Sequence, residues 1–148
     1  MIERPRGRSG LVLTALAAAG LVIALYLTIV KLAGVAPVCG PSGGCEIVET
    51  SAYAEILGVP VAAIGVAYSI MATAGAVTWW RRSEVRALWV LYGLGLTGSL
   101  VEAYLVYLEL AVIHAVCLWC AAYGVTVVGG LVGALLTIRE HPGQAPPG

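Results

Sequence analysis

A chain of 148 residues, 60% hydrophobic and 11% charged, has room for one domain and too few charges for an ordinary water-facing surface, where roughly a quarter of residues are charged. Net charge is zero and no basic run marks a nucleic-acid footprint. The absence of Asn excludes N-glycosylation.

Arg4, Arg6 and Arg8 precede an uncharged stretch from Leu11 to Val30. That stretch is longer than the roughly 7–15-residue core of a secretory signal, and no small-residue cleavage site follows, so it is expected to remain as a membrane span. Further apolar stretches lie at about 59–80, 87–113 (interrupted by Glu102 and Glu109) and 115–138. Each can cross a hydrocarbon core of about 30 Å as a helix, and lipid requires the backbone to satisfy its own hydrogen bonds. The expected fold is an all-α membrane protein, a four-transmembrane-helix bundle over residues 1–138 with a short cytoplasmic tail at 139–148.

The segment between the first two spans, residues 32–58, holds Cys39-Gly-Pro-Ser-Gly-Gly-Cys45. Gly and Pro predict a mobile turn there, and the two cysteines can close a small ring if their Cα atoms approach within about 4.4–6.8 Å. A shuttle and a static staple are both open for this pair. Downstream, Ile47, Val48, Ala52, Ile56 and Leu57 predict the apolar side of a short helix on the membrane, roofing the bundle, with Glu46, Glu49 and Glu55 toward water. Gly58 ends that helix, and Pro60 suits the first turn of the next.

Arg4, Arg6, Arg8, Arg81, Arg82, Arg86 and Arg139 fall on one side of these spans and Lys31 on the other. The positive-inside rule then places both termini in the cytoplasm of a cell (cytoplasmic) membrane, with Trp79 and Trp80 in the inner aromatic belt. All four cysteines fall on the outer face, where disulfides persist. Cysteines tolerated merely as small apolar residues would scatter along the spans. Cys117-Leu-Trp-Cys120 is an i, i+3 pair at a helix start, where the dipole favours a thiolate. A Cys₄ zinc site is the rival, but the loop spacing is wider than zinc half-sites use. Two dithiol pairs on one membrane face predict a relay, one pair exchanging with a soluble partner and the other with a two-electron acceptor in lipid, most simply a quinone.

These features together resemble the vitamin K epoxide reductase family, its bacterial members in particular. The resemblance rests on Cys39 and Cys45, on Thr50-Ser51 after them, on Ser51-Ala-Tyr-Ala and Gly58-Val-Pro60, on Tyr104-Leu-Val-Tyr107-Leu-Glu109, and on Cys117-Leu-Trp-Cys120. It spans about residues 10–138 and implies a four-helix bundle around a quinone with a half-helix cap in the first outward loop. It implies that Cys120 lies beside the quinone and that Cys117 accepts electrons from the loop pair. Cys39 and Cys45 would draw them from a separate thioredoxin-like (DsbA-like) protein, and Ser51 would offer a hydroxyl to sulfur or quinone. The DsbB-type oxidases, by contrast, carry their CxxC in the first outward loop. Animal members carry an Asn in span two and a Tyr four residues after the CxxC; here there is no Asn, position 124 is Gly, and Tyr123 comes one residue early. The resemblance therefore implies menaquinone or ubiquinone as acceptor, without a metal. The alternatives are a vitamin K epoxide or quinone reductase proper and a non-catalytic Cys₄ metal-bound scaffold.

Glu102 and Glu109 share one stripe of span three, Glu102 about 16 Å below Ile113 at 1.5 Å per residue. An interhelical hydrogen bond is the plainer reading of Glu102, and a proton relay to the reduced quinone the sharper one. His114, at the outer turn, is read as interfacial.

Overall fold

The computed structural model describes residues 5–141; Arg4, and positions 142–148 of the expected tail, lie outside the described residues. Helix α1 runs Pro5–Leu32, α2 is a short helix at Gly44–Thr50, and α3, α4 and α5 span Val61–Arg82, Val85–Tyr107 and Leu118–Glu140. Helix α4 continues into a π-helical segment, Leu108–Ile113. Helices α1, α3, α4 with this extension, and α5 are each long and apolar enough to cross a membrane. Their outer faces agree: Val22, Ile29, Leu100 and Val125 are 63–69% exposed, an arrangement that water disfavours and hydrocarbon accepts. The chain is an all-α membrane bundle.

Lipid supplies little hydrophobic force between helices, so small residues set the contacts. A Cβ at Gly95 of α4 would lie 2.9 Å from the Leu131 Cα of α5. Across α3 and α4 the Tyr68 hydroxyl donates to the Leu94 carbonyl at 3.1 Å. Leu13, Ala76, Trp79, Leu88, Leu91 and Ala134 form a tight cluster. They come from the start of α1, the end of α3, the start of α4 and the end of α5, so all four long helices share a buried core at one end. The cysteines lie at the other.

Two expectations are corrected here. Trp79 is 1% exposed, inside this cluster, whereas Trp80 is 43% exposed. Successive residues on a helix point about 100° apart, so only one of the pair can belong to an interfacial belt. The loop helix also stops early. Ser51 turns extended (φ −70°, ψ 157°), while the Thr50 hydroxyl donates to the Glu46 carbonyl at 2.8 Å and the Ser51 hydroxyl to that of Val48 at 2.7 Å. Such side-chain bonds compete with helix continuation. A 3₁₀ turn at Ala52–Ala54 follows, then a two-stranded hairpin, Glu55–Ile56 (β1) against Val59–Pro60 (β2). Its tip, Leu57 and Gly58, has positive φ at both residues (53° and 81°), as a type I′ turn requires. Pro60 precedes α3 as its N-cap instead of lying within the first turn.

Candidate active site

Cys39 and Cys45 form a disulfide with Cα atoms 5.8 Å apart. Positive φ at Gly40 (69°) and Gly43 (62°) lets the intervening chain turn back on itself. Cys45 is fully buried, while Cys39 is partly exposed. Gly44, before Cys45, lies against Val116, before Cys117: a Cβ at Gly44 would collide with the Val116 carbonyl oxygen. The loop pair therefore rests on the turn that delivers the second pair. Val38, before Cys39, is held from two sides. Its N–H donates to the Tyr26 hydroxyl at 2.9 Å, and its carbonyl accepts from Trp119 Nε1 at 2.8 Å. The Tyr26 and Trp119 rings lie 4.8 Å apart. Lys31 ties the roof to α1 by donating to the Glu49 carbonyl and pairing with Glu55 at 3.4 Å.

Cys117 and Cys120 are free thiols. Cys117 is the N-cap of α5, its Sγ accepting the Cys120 N–H at 3.2 Å. The Cys120 thiol bonded to it, with that N–H, holds the Cys117 thiol below its ordinary value, although burial opposes this. The Cys117 N–H donates to Glu109 Oε2 at 3.1 Å.

Beneath the roof is a cavity to which all four long helices contribute. Ala24 and Leu27 come from α1, Val61, Ala62 and Gly65 from α3, Leu105 from α4, and Leu108 and Ile113 from its π-helical end. The polar side chains facing it are Glu49, Ser51, Tyr53, Glu102, Glu109, Cys120 and Tyr123. Tyr123 closes the floor: its hydroxyl donates to the Gly65 carbonyl at 3.1 Å and accepts from the Ser69 hydroxyl at 3.2 Å. A Cβ at Gly124 would lie 3.1 Å from Glu102 Oε2, so the carboxyl group packs closely against the α5 backbone.

Four residues singled out in the sequence, Ser51, Glu102, Cys120 and Tyr123, thus meet around one cavity, with Cys117 immediately behind Cys120 and the Cys39–Cys45 disulfide in the roof. The Ser51 hydroxyl is engaged by the Val48 carbonyl rather than by sulfur. His114 is exposed at the outer turn, outside the cavity lining. Glu49, expected in water, is half-buried over the cavity, because α2 lies across the bundle with this residue underneath. In the sequence Glu109 is legible as a charge on the Glu102 stripe and as the end of the Tyr104–Glu109 passage, but its contact with Cys117, eight residues on, is not. The model of the Vitamin K epoxide reductase family matches residues 11–135, a range holding both cysteine pairs, all of α3 and α4 and most of α1 and α5. The chain belongs to the vitamin K epoxide reductase family, and is accordingly a membrane thiol oxidoreductase.

Proposed function

We propose that the protein takes electrons from a separate thioredoxin-like (DsbA-like) dithiol protein and delivers them to a membrane quinone, menaquinone or ubiquinone, supporting disulfide formation outside the cytoplasm. The partner's dithiol reduces the Cys39–Cys45 disulfide and leaves as a disulfide. The loop dithiol then reduces a Cys117–Cys120 disulfide. The resulting inner dithiol reduces the quinone to quinol and closes again. Two electrons and two protons move at each step. Cys39, the more exposed of its pair, is the sulfur a soluble partner reaches; Cys45, buried beside the Val116–Cys117 backbone, faces the inner pair.

The observation that carries this reading is Cys120 in the wall of a mostly apolar cavity between the helices, ringed by a few polar side chains, the make-up of a small-molecule site.

The test is quinol formation by the purified protein with a reduced thioredoxin-like protein and a short-chain quinone, followed by absorbance. Wild type turns over, and Cys120→Ser falls to background. Wild-type turnover in Cys120→Ser removes Cys120 from the quinone step.

A further inference from the structure

Glu109 is 7% exposed. Its described contacts are the Cys117 N–H, at 3.1 Å, and the Cys120 side chain. No cation partners it among the described ion pairs, which join Lys31 to Glu55 and Arg82 to Glu84. A carboxyl group at such a place is costly to keep and is often functional. The backbone around it is also unusual. Glu109 lies in the π-helical segment, and its carbonyl accepts from Ala115 N at 3.0 Å across the turn into α5. Single π turns inside helices recur at functional sites. The wide turn holds one carboxyl group against both residues of the CxxC pair and in the wall of the cavity.

We infer that Glu109 is the acid–base group of the Cys117/Cys120 pair, taking the Cys120 thiol proton as the sulfur electrons leave and giving it to a quinone oxygen. The inference rests on the quinone reading above. The step balances: dithiol and quinone become disulfide and quinol, two S–H bonds break, one S–S bond and two O–H bonds form, and Glu109 ends ionised as it began. The second proton comes from Cys117. The other titratable groups facing this site are Glu49 from α2, Tyr53 from the following turn, Glu102 from α4 and Tyr123 from α5.

Glu109→Gln keeps an acceptor for the Cys117 N–H and cannot carry a proton. In single-turnover reduction of quinone by the prereduced protein, it is expected to slow quinol formation by about 100-fold at pH 7. The deficit should shrink as rising pH supplies thiolate from solvent. The exchange step from a reduced partner to the protein should keep its wild-type rate, which a merely structural role for Glu109 would not allow. Glu46→Gln, exposed on α2, is the control and should match wild type. Equal quinol rates in wild type and Glu109→Gln across the pH range, or equal slowing of exchange and quinol formation, overturn the inference. If wild type itself forms no quinol, the quinone reading fails alone, and the alkylation rate of the prereduced Cys120 thiol against pH, followed by mass spectrometry, still decides Glu109. Slower alkylation in Glu109→Gln at neutral pH that converges on wild type as pH rises supports proton removal by Glu109; equal rates across the range overturn it.

Discussion

Glu49 lies under α2 with its side chain half-buried, where burial raises its carboxyl above the ordinary value of 4.5 and Lys31 opposes the rise. A folded value above the unfolded one means that folding favours the neutral acid. The stability is fully present below the ordinary value and is lost as pH rises through the raised one. Glu49→Gln should therefore raise the melting temperature of the detergent-solubilised protein at pH 7.5 and leave it unchanged at pH 4, as read by intrinsic fluorescence. Cys117 has the opposite sign: its lowered value favours the thiolate in the folded protein. Gly124 faces Glu102 closely: a Cβ there would lie 3.1 Å from Glu102 Oε2. Reading the sequence alone showed Gly124 only as a departure from the animal pattern; that it faces Glu102 depends on how α4 meets α5.

At the scale of elements, α2 and the 3₁₀ turn before it at Gly40–Ser42 place the disulfide. The Tyr26–Val38–Trp119 contacts tie the segment before Cys39 to α1 and α5 together. Trp119→Phe keeps a ring against Tyr26 and removes the donor to the Val38 carbonyl. The loss of one hydrogen bond, about 1 kcal/mol, should speed local opening roughly fivefold. Hydrogen exchange at the Cys39 segment measures this, and unchanged protection would show that the bond does not restrain the loop. Element identity was legible for the long helices, whose length and composition suffice. The loop was not. Ile47 to Leu57 carries a helix-like apolar pattern, yet Thr50 and Ser51 bond their own backbone and Leu57 adopts positive φ at a hairpin tip. Periodicity does not report these local competitions.

The whole molecule has two unlike ends. Around Leu13, Trp79, Leu88 and Ala134 the four helices share a buried apolar cluster, whereas near Cys120 they part around the cavity. Four crossings put the start of α1 and the end of α5 at the same end, and we propose from the basic residues that this end faces the cytoplasm. In spheroplasts, a tag appended at the C-terminus should resist external protease and be cleaved only after the membrane is permeabilised; cleavage in intact spheroplasts would invert the topology.

Length, hydropathy and cysteine spacing by themselves determined four spans and two cysteine pairs at one end and pointed to thiol oxidoreduction, because lipid imposes helices of a set length and thiol chemistry imposes short spacings. Tertiary structure alone decided that Trp79 is core and Trp80 is not, that Glu49 turns inward, and that Glu109 meets the CxxC pair. The reason is physical. In a membrane bundle the lipid-facing and inward-facing sides of a helix are both apolar, so hydrophobicity along the chain carries little information about its rotation. Rotation is set by close contacts such as Gly95 on Leu131 and Gly44 on Val116, and those exist only once the helices have met.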